Sequence, residues 1–496
     1  MKKIIFYLSS CILLLNCSNP STNTKELVDQ NIYDLVIQHG RVINPANQTD
    51  AILNIAIQGD TIVAISPEKL QGKQIIDAKN LVVAPGFIDL HSHTPTPLGQ
   101  YFQLKDGVTT ALDLEAGAFP QSGYGQFLKK GAHIHHGASV GYFAIRIKVM
   151  EGKDEAYIFS HKGAIHPEIA FTQKATTEQI AAMRQLLHQG LDEGGIGIGL
   201  LLDYMDSAVN PEELKMIFEV AAERKAPVCV HIRRGVQGDP AGLEEVIALS
   251  ESLKAPVHIC HLQANAMGKI ASWLERIEIA NKNGADISVE MYPYTAGSTT
   301  ISADVFNRDW QTIFGITYED VQWSDTGEYL TKETWEKYRK EQPTGAIIHH
   351  YGKEDWNRIG LKNPTVMIAS DAMPVISRDK KVTPRGIGTF SKILAKYVRE
   401  EKLMTLSEAI GKMSYLPAKR LEEISPVFAK KGRIAVGAHA DLTIFDAATI
   451  QDHGTYENPY QESSGVEYVF VGGKMVIYKG EVLKDVFMGQ HLSLKK

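Results

Sequence analysis

NPEELKMIFEVAAERKAPVCVHIRRGVQGDPAGLEEVIALSESLKAPVHICHL, residues 210–262, decides the fold. Asn210 is an effective N-cap and Pro211 suits a first helical turn, so residues 211–225 read as a helix. The apolar run 227–233 that follows reads as a strand. Helix 241–254 and strand 256–262 repeat the unit, and helix 269–283 with strand 287–294 repeats it again. Strand, helix and strand recurring at about 30 residues imply a parallel sheet. Five further strand candidates at 87–91, 109–115, 137–142, 196–202 and 366–371 bring the total to eight, which predicts an α/β protein built on a (β/α)8 TIM-like barrel. Residues 295–363 break the period and carry every tryptophan except Trp273. They are expected to form an insertion over the C-terminal face, as a lid or substrate loop.

The two ends of the chain have a different texture. Short β-branched runs at 33–43, 51–58 and 61–65, with Gly59-Asp60 as a turn, are matched by 440–445, 466–471 and 474–478, with Gly472-Gly473 as a turn. A small β-sandwich domain made of 33–84 and 427–484 is therefore expected to flank the barrel, 85–426. A composition of 44% hydrophobic and 22% charged residues excludes disorder, and a net charge of −6 without long blocks of either sign argues against a nucleic-acid partner. Lys2 and Lys3 precede an apolar run at 4–15 that is too short to span a membrane but suits a signal peptide, 1–16. Leu14-Leu15-Asn16-Cys17 resembles a bacterial lipobox, which makes Cys17 the acylated first residue and the polar stretch 17–32 a tether. The reading implies an exported lipoprotein of the cell envelope, periplasmic or attached to the outer membrane. Cys229 and Cys260 then remain inside the fold, which is no disulfide framework.

His91 and His93 end the first strand with one residue between them, so both imidazoles point to one side. His231 and His261 fall at or near the ends of the fifth and sixth strands, Glu115 ends the second and Asp371 ends the eighth. In a closed parallel barrel these ends share one mouth. Four imidazoles and two carboxylates are ligands that Zn2+ accepts. Strand parity sends His258 and Cys260 outward and Cys229 inward, so a Cys229–Cys260 bridge is not expected. His133, His135 and His136 precede the third strand and read as surface residues at the far end of the barrel. His349 and His350 lie in the insertion, and the glycines of 194–199 lack the spacing of a phosphate loop.

With these residues in place the chain resembles the amidohydrolase superfamily, and within it the D-aminoacylases and N-acyl-D-glutamate deacylases. The likeness runs from about residue 33 to 483. It rests on PGFIDLHSH (85–93), DGVTTALDLEAG (106–117), HIR (231–233), HICH (258–261), YPYTAGST (292–299), ASDAMP (369–374), PRGIGTF (384–390) and GAHADLTIFD (437–446). The resemblance implies one zinc position held by His91, His93 and Asp371 and another held by His231 and His261, hence one or two Zn2+ per chain. Typical D-aminoacylases have a Cys where Ala116 stands; Glu115, one residue earlier, resembles the glutamate deacylase branch and is the candidate bridge. A carboxylated lysine, used elsewhere in the superfamily, has no candidate in 196–202.

The implied reaction is hydrolysis of the amide of an N-acyl-D-amino acid, with N-acyl-D-glutamate the implied substrate. Zinc makes hydroxide available near neutral pH and polarises the carbonyl, while Asp371 serves as base and returns its proton to the leaving amine. Arg385 is expected to read the α-carboxylate. Arg233, two residues beyond His231, is expected to read a side-chain carboxylate, and Tyr204 and Tyr292 complete the substrate-binding candidates. Gln263 stands where many D-aminoacylases have a Lys. Two other readings share parts of this pattern: a cyclic amidase of the hydantoinase or dihydroorotase type, expected to use a bridging Lys, and a surface-anchored binding lipoprotein without turnover, which has no need of Asp371. Oligomeric state is not legible.

Overall fold

The computed structural model describes residues 31–160, 163–164 and 169–494. The expected leader, Cys17 and the tether as far as Gln30 lie outside the described residues. Eight parallel strands form one sheet in chain order: β1 (Phe87–Asp89), β2 (Val108–Ala118), β3 (His135–Gly141), β4 (Ile198–Leu201), β5 (Val228–His231), β6 (Pro256–Ile259), β7 (Asp286–Met291) and β8 (Val366–Ile368). Each pairs with its sequence neighbour, and β8 returns to β1. Closure is made just past the strands, where Ser92 bridges Ala372 and the His93 amide donates to the Ala372 carbonyl at 2.8 Å. The strands alternate with helices such as Pro211–Arg224, capped by the Asn210 side chain, Ala241–Leu253 and Ile270–Lys282. This is the (β/α)8 barrel that the helix and strand periods require.

The inward residues Ile88, Leu90, Leu112, Leu114, Cys229, Cys260 and Met367 pack into one buried cluster. Cys229 and Cys260 are both free. The expectation that Cys260 and His258 face outward is overturned. Residues 258 and 260 share the inward parity, β6 ends at Ile259, and His261 leaves the strand in a left-handed conformation, φ 34°. Alternation therefore cannot be counted through to His261.

The second sheet has nine strands drawn from both ends of the chain. Its order is Glu481–Val482, Lys474–Tyr478, Val466–Val471, Leu442–Phe445, Val82–Pro85, Ile32–Asn44, Thr49–Gln58 and Thr61–Ser66, with Gln71–Asp77 also paired to Ile32–Asn44. The sheet rolls over its own core of Ile37, Ile55, Ile62, Val83, Leu442 and Phe470 until the Ile62 amide donates to the Ala438 carbonyl at 2.9 Å. Ile32–Asn44 exchanges one parallel partner for another at a bulge, where a Cβ on Gly40 would lie 2.4 Å from Val83 Cγ2. Only glycine permits that approach. The half-exposed strand QGKQIID and the short Val82–Pro85 carry no alternating pattern, and neither is legible in the sequence.

The insertion has its own small sheet, in the order Gly297–Thr300, Ala346–His349, Val321–Trp323, and its own core of Phe306, Trp310, Phe314, Trp323, Trp335 and Tyr351. Its last helix, Glu354–Lys362, belongs to the barrel's outer ring, with Gly360 seated against Met291 of β7. The C-terminal tail crosses the opposite end, where Leu492 N donates to His136 O at 2.7 Å. It covers His133 and His135, which are buried and not surface residues. His135 Nε2 meets Asp441 Oδ1 at 3.1 Å, and Asp441 also holds Lys431.

Candidate metal centre

The mouth is assembled by carboxylates that tie neighbouring strands together. Buried Asp89 on β1 accepts from the Ser370 amide at 3.0 Å and the Ser370 hydroxyl at 2.5 Å, which fixes the end of β8 against that of β1. Burial pushes its carboxyl up to about 6. His91 and His93, just beyond β1, thereby face Asp371, just beyond β8. Asp371 has φ 49°, and its Oδ1 lies 3.4 Å from His91 Nε2 and 3.6 Å from His93 Nε2.

The imidazoles are oriented from behind. His91 Nδ1 lies 2.6 Å from Glu290 Oε1 on β7, and Glu290 Oε2 meets His258 Nε2 at 3.1 Å. His93 Nδ1 lies 3.0 Å from Asp113 Oδ2, which also accepts from Tyr157 Oη at 2.7 Å. Both inner nitrogens are thus committed to carboxylates, so the two Nε2 lone pairs point at each other across 3.0 Å. His231 Nδ1 and His261 Nε2 form a second facing pair, also 3.0 Å apart.

Glu115 lies between the pairs. Its Oε2 is 3.2 Å from His91 Nε2 and 3.4 Å from His93 Nε2, and its Oε1 is 3.0 Å from His231 Nδ1 and 2.8 Å from His261 Nε2. Two ligand groups, His91, His93 and Glu115 on one side and Glu115, His231 and His261 on the other, share the one carboxylate. Burial opposes charge on His91 and His93. Glu115, Asp371 and Glu290 around the first and Asp113 beside the second outweigh it, holding His91 well above the ordinary imidazole range and His93 at about 9. Against the same burial penalty, His91, His231 and His261 hold Glu115 well below the carboxylate range. A cage with facing lone pairs and buried carboxylates wants positive charge at its centre, and divalent cations fit the donor set of nitrogen and oxygen. His91, His93, Glu115, His231, His261 and Asp371 are all brought together, as the strand-end pattern predicts. Asp113, Glu290 and His258 carry no signal in the sequence that separates them from other buried polar residues of their strands.

The substrate-binding candidates fare less uniformly. Tyr204 stands edge-on to His231, 5.2 Å between centroids, with its hydroxyl 2.9 Å from Thr299 Oγ1. Tyr292 is buried beneath the Arg385 guanidinium, 4.6 Å from the ring centre. Arg385 is itself buried; Nη2 lies 2.9 Å from Asp371 Oδ2, and Nε donates to the Asp371 carbonyl at 2.5 Å. Arg233 does not face the mouth with a free guanidinium. It is held by Glu245 at 3.0 Å, by Asp206 at 3.1 Å and by the carbonyls of Asp206 and Val209, so the expectation of a second carboxylate reader there is overturned. His350 bonds Gln322, whereas His349 is buried among Phe306, Phe314 and Tyr351.

The model of the amidohydrolase family matches residues 74–477. The D-aminoacylase of Alcaligenes xylosoxydans xylosoxydans is 29% identical over 488 residues, covering 93% of this chain and 97% of its own. The N-acyl-D-glutamate deacylase of the same organism is 28% identical over 482 residues, covering 89% and 93%. Among solved structures, the N-acyl-D-glutamate deacylase from Bordetella bronchiseptica, complexed with zinc and a phosphonate inhibitor that mimics the tetrahedral intermediate, superposes with a TM-score of 0.76 at 25% identity. It covers 93% of this chain and 100% of its own.

Proposed function

The chain belongs to the amidohydrolase family, and on that premise we propose that it is a zinc-dependent deacylase that releases a carboxylate and a free D-amino acid from N-acyl-D-amino acids, N-acyl-D-glutamate first among them. The observation that carries this reading is the Glu115 carboxylate wedged between two imidazole pairs, with Asp371 facing one of them. D-aminoacylase and N-acyl-D-glutamate deacylase as relatives over nearly the whole chain support the substrate class.

His91, His93, Glu115, His231, His261 and Asp371 would hold the zinc, which when bound would lower the pKa of a water to about 7 and polarise the acyl carbonyl. The chain's own groups do the rest. Arg385 grips one oxygen and the backbone carbonyl of Asp371, which turns the other oxygen toward His91 and His93. From there Asp371 takes the proton of the attacking water and passes it to the departing nitrogen, because an amide nitrogen cannot leave as an anion. Tyr204 and Tyr292 wall the cleft on the His231 and His261 sides. A bridging lysine, which a cyclic amidase would call for, has no counterpart on β4, whose sequence is IGLL.

The test is metal content measured together with hydrolysis of N-acetyl-D-glutamate and its L enantiomer. We expect zinc in the purified protein, loss of activity on chelation and a preference for the D form of roughly 100-fold or more, as a site holding several polar groups of the substrate gives. Full activity with well under one zinc per chain, or equal turnover of the enantiomers, would refute it. We also propose that the chain is exported and anchored through Cys17. Labelled fatty acid should enter the wild-type protein and not Cys17→Ala, and equal labelling of the two would sink the anchor.

A further inference from the structure

Both arginines expected to bind the substrate are occupied, Arg385 by Asp371 and Arg233 by Glu245 and Asp206. A third stands next in sequence. Arg234 is nine-tenths buried, and its backbone amide is fixed by Asp203 Oδ1 at 2.9 Å. Its guanidinium packs 5.0 Å over the Phe314 ring and 5.7 Å from that of Tyr351 and donates through Nη1 to the Ala264 carbonyl. The Nε has no hydrogen-bond partner among the described residues; Asp203 Oδ2 is 3.7 Å away. Asp203 is already claimed by Arg308 at 2.7 Å and stands 3.7 Å from His231 Nε2. The Arg234 charge is therefore incompletely paired, one carboxylate removed from a candidate metal ligand. Its contact with the Ala264 carbonyl places this cation beside the short helix that follows β6.

Across the same two rings lies His349. Its centroid is 4.9 Å from Phe314 and 5.1 Å from Tyr351, it is 5% exposed, and its Nδ1 has no hydrogen-bond partner among the described residues. A Cβ on Gly297 would fall 2.7 Å from its Nε2, so glycine makes room for the ring. Burial, with Arg234 and Arg385 nearby, keeps this imidazole neutral and well below its ordinary range, so one nitrogen remains a donor. An incompletely paired guanidinium and an unsatisfied imidazole in a shared aromatic frame are costly to leave without a ligand.

We propose that Arg234, seconded by His349, reads a carboxylate on the side chain of the D-amino acid and so sets the preference for acidic substrates. The proposal rests on the deacylase reading and replaces the role expected of Arg233. The test compares kcat/KM for N-acetyl-D-glutamate, N-acetyl-D-glutamine and N-acetyl-D-leucine. Arg234→Met should cost the glutamate substrate roughly 100-fold, the scale for removing one member of a buried charge pair, and the leucine substrate about threefold or less. His349→Phe, which keeps an aromatic ring in the frame, should raise KM for glutamate about tenfold with kcat nearly unchanged, as loss of one hydrogen bond to a charge predicts. If Arg234→Met does not fold, Arg234→Lys and His349→Phe carry the test through the same split between KM and kcat. A wild type that prefers leucine or treats glutamine and glutamate alike, or variants that lose all three substrates equally, would overturn the proposal while leaving the deacylase intact. A wild type that hydrolyses none of the three would instead overturn the deacylase reading itself.

Discussion

Asp371→Asn is expected to lower kcat by roughly 100- to 10,000-fold, the range that a positioned general base contributes, with KM within a few-fold of wild type. Asparagine keeps the size of the side chain but cannot carry a proton to the amine. The damage is sharpened by Arg385, which donates through Nη2 to Asp371 Oδ2 at 2.9 Å. An amide has one acceptor oxygen, and a guanidinium offers only donors, so that oxygen turns to Arg385 and the NH2 group faces His91 and His93. Base and metal-facing oxygen are lost together. Single-turnover rates and zinc content should be measured on the same preparation, so that the loss of the proton carrier is separated from any loss of metal. A variant with full zinc and a tenth of the wild-type kcat would remove Asp371 from the role of base.

The frame of this protein is legible from spacing alone because barrel strands and helices repeat a short unit, and because the polar ends of parallel strands meet at one mouth. The six candidate ligands are found that way. What escapes has physical reasons. His258 and Cys260 face inward although parity counted back from His261 sends them outward, because His261 lies beyond the strand in a left-handed turn. Glu290 and Asp113 look in sequence like any polar residue of a buried strand, and only the fold shows that each stands behind an imidazole. Arg233 has the composition of a substrate reader, but Glu245 on the next helix and Asp206 on the preceding loop neutralise it. No local pattern reports a partner supplied by another element. The two half-exposed or very short strands of the rolled sheet are fixed by pairing with Ile32–Asn44, not by their own residues.

Glu115→Gln is expected to remove the metal at His231 and His261 while leaving that at His91 and His93. The substitution keeps shape and volume, so the barrel packing around it survives. The wild-type carboxylate presents one oxygen to each imidazole pair, at 3.2 and 3.4 Å on one side and 3.0 and 2.8 Å on the other. Glutamine has one oxygen and no charge, so it serves at most one pair. The His91 and His93 position still has Asp371 Oδ1 as a third ligand, whereas His231 and His261 keep two imidazoles and at best a neutral amide oxygen, which is not among the His, Cys and carboxylate ligands zinc uses. Zinc sites require three or four protein ligands, so the second position should empty on dialysis. The loss there should exceed the roughly 10- to 100-fold that follows removal of an outer hydrogen-bond partner. Glu290→Ala provides that smaller comparison, because it strips His91 Nδ1 of its carboxylate and should weaken the opposite position. Elemental analysis after dialysis, with a competition titration against a chromophoric chelator, distinguishes the two variants. Glu115→Gln retaining two metals per chain at wild-type affinity would show that the carboxylate is not the bridge, and that the two imidazole pairs hold their ions independently of it.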